Sequence, residues 1–274
     1  MLSAYARIFQ RQRPYVVAAA ALQDRLQFDP LGVEVRPDDR FDPLQQGSAG
    51  FFDLIQRLDQ LTFGPLGLTM PRWALYDCGM LPGFVFGFGA DAADLRPRVH
   101  QALGVPADYA GLVPLSMYIA IPMLGEDRWL GHSVCSVNEV APGAAPPGLG
   151  TLSVAMGLAC LGAKRASGAT QWRSPKLAAL ARFAPLSLDA AWVPVHNEPE
   201  TCVFHFPVDE PRLRRGLDPD AAEAEADMWL DTEDEAALQE LQASLQDGER
   251  WAIVGPPEIR GAWRGVPLAR EVSP

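Results

Sequence analysis

Between Gly216 and Glu249 the chain has no lysine or arginine, although twelve acidic residues fall there: Asp218, Asp220, Glu223, Glu225, Asp227, Asp231, Glu233, Asp234, Glu235, Glu240, Asp247 and Glu249. The rest of the 274-residue chain carries 22 acidic against 23 basic residues, so the formal charge of −11 is a local feature. Without a basic footprint, nucleic-acid binding is not expected. There are only four cysteines, Cys78, Cys135, Cys160 and Cys202. They form no Cys-x-x-Cys pair, and they read as small buried hydrophobes in a reducing compartment. The four histidines (His100, His132, His196, His205) show no metal-ligand spacing, so no metal site is expected. No apolar run approaches the ~20 residues of a spanning helix. The run Tyr15–Leu22 follows Arg7, Arg11 and Arg13 but is short, preceded by Pro14 and closed by Gln23-Asp24-Arg25. It reads as a helix with no clear cleavage site, and the expectation is a soluble cytoplasmic protein with no membrane partner. A Gly-x-x-x-x-Gly-Lys-Ser/Thr loop is absent. So is a third glycine at Rossmann spacing, because position 153 is Ser.

What is present centres on Gly131 to Gln171. Val134, Val137 and Val140 suit a strand, the loop 141–148 is rich in Ala, Pro and Gly, and a helix candidate begins after Gly148-Leu149-Gly150. Leu152, Ala155, Met156 and Ala159 recur at spacings of three and four, Lys164 and Arg165 suit a last turn, and Gly168 lies beyond. Such a turn offers anion binding. The first amides of a helix lack internal partners, and glycine lets a phosphate approach the backbone. The candidate donors are the amides of Leu149, Gly150, Thr151 and Leu152, joined by the hydroxyls of Thr151 and Ser153, with Pro146 and Pro147 stiffening the entry. The competing reading is a glycine-capped loop with no ligand, since a Gly-x-Gly is common.

In chain order, residues 1–27 read as helix and 28–50 as loop. A helix over 48–61 has Ser48 or Gly50 as cap and Phe51, Leu54, Ile55, Leu58 and Leu61 on one face. Strands follow at 73–78 and 84–88 as a hairpin, a helix at 95–103, and strands at 115–123 and 129–140. After the central helix come a strand from Thr170, a helix over 176–183, and strands at 188–193 and 201–208. Residues 217–247 read as an acidic helix pair or one long helix, 251–254 as a strand, and the Gly/Pro-rich end as coil.

This element order over 48–208, with Gly148 and Gly150 in the turn after the long strand, resembles the GNAT superfamily of acyl-coenzyme A N-acyltransferases. Ala145 stands where that family's turn has Gln or Arg. The resemblance implies a mixed, mostly antiparallel α/β sheet flanked by helices. It gives a domain over 48–210 between an N-terminal helical and loop extension (1–47) and an acidic helical extension (211–274). It also implies an acetyl- or longer acyl-coenzyme A co-substrate cradled at Gly148, Leu149, Gly150, Thr151, Leu152 and Ser153, and an amine acceptor on a small molecule or protein. The amide of a long-strand residue, Val137, would polarise the thioester carbonyl. Glu139 supplies a candidate base. The tyrosine expected as acid is missing: 176–185 holds Phe183 instead, and the nearest hydroxyl is Ser174.

Other polar residues offer further roles. His196, beside Asn197 and Glu198 in the loop before the last strand, is a second candidate base. Gln171-Trp172-Arg173 reads either as core Trp with solvated neighbours or as a wall of an acceptor pocket. Cys135 beside His132 suggests an activated thiol, but three residues apart on a strand they face opposite ways. The acidic segment reads as a solvated helix face, a surface for a protein partner or a cover for a cationic acceptor. The function expected is N-acyl transfer. The alternative is a non-catalytic binding or assembly module of the same fold.

Overall fold

The structure, a computed structural model, describes residues 5–74, 84–125, 127–196, 198–218, 225–260 and 263–271. It is a mixed α/β protein whose strands are mostly antiparallel. The chain divides into two compact units, Leu2–Ala163 and Lys164–Pro274.

The first unit contains strands β1 (Arg13–Val17), β2 (Arg40–Phe41), β3 (Phe84–Asp91), β4 (Leu112–Pro114), β5 (Ser116–Pro122) and β6 (Arg128–Ser136). Their order is β6-β5-β3-β1-β2, with β4 pairing the far end of β3. Only β1 and β2 run parallel. The residues Tyr15-Val16-Val17, expected in a helix, form β1 instead. Their β-branched and aromatic side chains pack in a sheet interior and are fully buried. Pro14 is tolerated because β2 pairs only Val16 and Val17, so the chain at Pro14 has a free edge. The flanking short helices are α1 (Ala6–Phe9) and α2 (Ala20–Gln23).

Phe84, Phe86 and Phe88 of β3 are buried. On the opposite face, Gly87 leaves room for Tyr15: a Cβ there would sit 2.0 Å from the Ser116 carbonyl oxygen and 2.6 Å from the Tyr15 hydroxyl. Tyr15 crosses that gap and donates to Ser116 O at 2.7 Å. Helix α3 (Ala49–Phe63) buries Phe51, Phe52, Leu54, Ile55 and Leu58. Phe51 meets Tyr15 edge-on at 4.8 Å and stacks on Phe41 at 3.8 Å. Ser48 precedes the helix without a side-chain cap bond. Of the expected strand 73–78, Trp73 and Ala74 lie in a helical turn and the rest fall outside the described residues. Helix α4 (Pro97–Leu103) ends at Gly104 with φ +60°. Helix α5 (Leu149–Cys160) buries nine of its twelve residues, so it is a central helix apolar all round and not an amphipathic one. It packs on β3 and β5, and Gly157 permits the approach: a Cβ there would lie 2.8 Å from Tyr118 Cδ1. The helix stops before Gly162 (φ +60°), so Lys164 and Arg165 are not its last turn.

The second unit contains β7 (Arg165–Gln171), β8 (Leu186–Ala190), β9 (Thr201–Pro207), β10 (Met228–Asp231), β11 (Trp251–Ile253), β12 (Glu258–Arg260) and β13 (Trp263–Arg270). They are ordered β10-β13-β11-β8-β9-β7, with β12 paired to β13, all antiparallel. Strand β7 begins five residues earlier than expected. Its Ala166, Ser167 and Gly168 carry little strand propensity, but Gly168 is required beneath the Phe204 ring, 2.8 Å from a built Cβ. Helices α6 (Pro175–Ala181), α7 (Glu210–Gly216) and α8 (Glu235–Gln246) have caps from Ser174, Asp209 and Asp234. The acidic segment is therefore not one long helix. Trp229 and Leu230 lie in β10, and among the described residues of this segment the helix is 235–246, burying Leu238 and Leu241. The C-terminal stretch expected as coil supplies β13.

Candidate functional site

The loop from β6 into α5 is built by Asn138. Its Oδ1 accepts the Ala145 amide at 2.9 Å, and its Nδ2 donates to Pro146 O at 3.3 Å. This clamp delivers the chain to Gly148, whose φ of +83° is left-handed and suits glycine. Leu149, Gly150 and Thr151 then open the helix, and their amides precede the first i−4 acceptor. Gly150 is half-buried, with Val134 Cγ2 3.6 Å from a built Cβ. Gly148, Leu149, Gly150 and Thr151 thus form one turn of oriented donors at the positive end of a twelve-residue helix.

Two of the expected contributors are engaged elsewhere. The Leu152 amide donates to Gly148 O at 2.9 Å, so it is already inside the helix ladder. Ser153 is fully buried. Its hydroxyl donates to Leu149 O at 2.9 Å and meets the Ser116 hydroxyl at 2.8 Å, which points it into the core and away from the turn. The Val137 amide donates to Leu115 O at 2.7 Å, within a short 3-10 turn (Val137–Glu139) that ends the strand early.

Glu139 sits at the third position of that turn and closes a capping box: Oε1 accepts the Ser136 amide at 3.0 Å. Its side chain is exposed, on the same unit as the glycine turn. Ser174 is an N-cap, with Oγ accepting the Lys176 amide at 3.2 Å. His196, in the second unit, is exposed and accepts the Glu198 amide on Nδ1 at 3.0 Å. Trp172 is wholly buried and donates from Nε1 to Ala191 O at 2.8 Å, which makes it a core residue and not a pocket wall. Tyr15 and Tyr118 are both buried, and burial pushes their hydroxyls up, away from neutral proton transfer. Cys135, Cys160 and Cys202 are buried. Burial pushes the Cys160 and Cys202 thiols up to about 12. Among the described residues no group of three or more His, Cys, Asp or Glu is placed to hold a metal ion, and no described helix is long and apolar enough to cross a membrane.

The sequence reading missed a cavity of about 780 Å³ beside the same loop, lined by Arg7, Arg11, Gln12, Asp94, Arg96 and the run Gly143–Pro146, among others. The signal lies in the arginines before β1, which in the sequence read only as a flank of the apolar run.

No protein-family model matches the chain. No curated protein matches it either. Among solved structures, a crystal structure of nourseothricin acetyltransferase is similar over 45% of this chain, at 12% identity and a TM-score of 0.29. The similar region spans 62% of that chain, less than two thirds of its length.

Proposed function

We propose that the chain is an acyl-coenzyme A dependent N-acyltransferase that holds the pyrophosphate of acetyl- or a longer acyl-coenzyme A on the amides of Leu149, Gly150 and Thr151. The observation that carries this reading is the preformed turn. Gly148 in the left-handed region and the Asn138 clamp fix three amides at the positive end of a long helix before any ligand arrives. An anion there needs no rearrangement. The acceptor amine attacks the thioester carbonyl, its proton passes to a base, and the thiolate leaves as coenzyme A once reprotonated. Glu139 is the base assigned here, because its carboxylate is exposed and adjacent in sequence to the clamp residue. His196 is the other candidate base.

The alternative, a non-catalytic binding module, is favoured by two specific observations. The Val137 amide, which would polarise the carbonyl, is bonded to Leu115, and Ser174 is occupied as a cap.

Calorimetric titration with acetyl-coenzyme A tests the cofactor site. Gly150→Asp introduces charge and bulk at the proposed pyrophosphate position while remaining compatible with a helix first turn, and binding should be lost. Glu139→Gln keeps an oxygen for the Ser136 amide but cannot take a proton, so the cap survives and turnover with an amine should fall at least a hundredfold. Absence of heat from acetyl- and longer acyl-coenzyme A sinks the reading. Binding without turnover on any amine leaves the module.

A further inference from the structure

The cavity beside the loop is basic on an acidic protein. Arg7, Arg11 and Arg96 line it against one carboxylate, Asp94. Arg7 and Arg11 lie four residues apart where α1 runs out, and the Gln12 amide closes that turn on Ile8 O at 2.8 Å. Among the described residues, neither Arg7 nor Arg11 has a carboxylate partner. Arg13, two positions on, is held by both Asp39 and Asp91. Arg96 donates from Nη1 to Gly143 O at 3.2 Å, joined there by Arg98 Nη2 at 2.6 Å, so the loop wall is tied to α4. Asn138 fixes the same wall at Ala145 and Pro146.

The interior is different in kind. Val99, Leu115 and Ala145 are buried and apolar, and Gln12 is 8% exposed. Among the described residues the Gln12 carboxamide oxygen has no hydrogen-bond partner. A buried amide oxygen without a donor is costly, and native proteins keep few of them. Other atoms of Gln12 line the cavity, which is large enough for a small organic ligand.

We propose that this cavity binds a small phosphorylated metabolite, with its phosphate on the guanidinium groups of Arg7, Arg11 and Arg96 and its body against the apolar lining of Val99, Leu115 and Ala145. A single carboxylate saturates on one guanidinium fork. Three arginines lining one cavity match the greater charge and the extra oxygen of a phosphate. The site does not depend on the acyltransferase reading, because it uses none of the helix-terminal amides.

The test is calorimetry on the full chain with three probes: AMP, inorganic phosphate as the anion without a body, and adenosine as the body without an anion. AMP should bind saturably, phosphate more weakly, and adenosine not at all. The Arg7→Gln/Arg11→Gln double variant, altered only at exposed side chains, should weaken AMP at least tenfold. Gly150→Asp should leave AMP binding intact, which separates this site from the helix terminus. No saturable heat from AMP or phosphate at millimolar concentration overturns the proposal. So does phosphate or AMP binding that survives the double arginine replacement, or that Gly150→Asp removes.

Discussion

The hydroxyl of Ser116 lies 2.8 Å from that of Ser153, both fully buried, and the pair links β5 to the first turn of α5. Directions follow from the partners. The Phe88 amide donates to Ser116 Oγ at 3.0 Å, and Ser153 Oγ donates to Leu149 O at 2.9 Å, so Ser116 gives its proton to Ser153. The relay supplies the Phe88 amide with an acceptor close to Gly87, where Tyr15 takes the Ser116 carbonyl instead. Ser116→Ala should cost about 2 kcal/mol, because it strands the buried Phe88 amide and removes the donor to the Ser153 hydroxyl. Ser153→Ala should cost less, about 1 kcal/mol, since Ser116 still serves Phe88. Urea unfolding of the singles and the double measures this, and the two losses should sum to more than the double. Simple additivity would mean that the hydroxyls do not act as a chain.

Two glycines of the turn should answer substitution differently. Gly148 has φ +83°, and a Cβ there meets Tyr5 Cε1 at 3.0 Å, so Gly148→Ala should destabilise by about 1–2 kcal/mol. Gly150 lies inside the helix with its nearest neighbour at an ordinary 3.6 Å, so Gly150→Ala should be neutral or stabilising by up to ~1 kcal/mol. Thermal melts of the two variants decide it. Equal losses would show that Gly150 is also needed for the fold, and they would weaken the use of Gly150→Asp as a binding probe.

The central strand–turn–helix was legible because its signals are local. Valines suit the strand, Gly148 is needed at one dihedral, and an apolar run of helix length follows. What was not legible depended on partners distant in sequence. Tyr15-Val16-Val17 sits in an Ala-rich stretch that favours helix locally, and only the pairing with Val85–Gly89 makes it a strand. The acidic segment suggests a long helix by composition, yet Met228–Asp231 pairs with Gly265–Leu268, in a region that itself looks like coil. The helix start that leaves the amides of Leu149, Gly150 and Thr151 without an i−4 acceptor is legible in the Gly148-Leu149-Gly150 pattern. Ser153 was misjudged because its position on α5 says nothing about which side the sheet covers; the Ser116 contact decides that. The cavity escaped notice because its arginines come from segments some ninety residues apart.

Arg13 bridges two carboxylates, with Nε 2.8 Å from Asp39 and Nη1 2.5 Å from Asp91. Asp39 is almost wholly buried. Burial raises its carboxyl above the usual range against the pull of Arg13, while the more exposed Asp91 is lowered, chiefly by its bond to Arg13. Arg13→Met leaves Asp39 buried without its partner and should cost about 3 kcal/mol at neutral pH. The sign of the pH dependence follows. Without Arg13, the folded state holds the Asp39 proton more tightly than the unfolded chain, so lowering the pH toward that raised value restores stability. Asp91 works the other way in the parent protein. Its stabilisation is present above the unfolded carboxyl value and is lost as pH falls through the lower folded one. Denaturant unfolding at pH 7 and at pH 4.5 should therefore show a smaller difference between parent and variant at the lower pH. A difference that grows on acidification would contradict the assignment of the cost to Asp39.

Cys160 and Cys202 belong to the core and not to chemistry, and their reactivity tests it. Cys160 closes α5, while Cys202 Sγ donates to Thr170 O at 3.3 Å inside the β7–β9 ladder. With both thiols pushed up by burial, the thiolate is scarce at pH 8, and only the thiolate attacks. Iodoacetamide at pH 8 followed by peptide mass mapping should leave both residues unmodified in the native protein and label both in urea. Because labelling must await opening of the sheet or helix, its rate should track unfolding and slow in any variant that stabilises the fold. Rapid native labelling of Cys202 would mean that the β7–β9 pairing opens far more readily than its continuous seven-residue register implies.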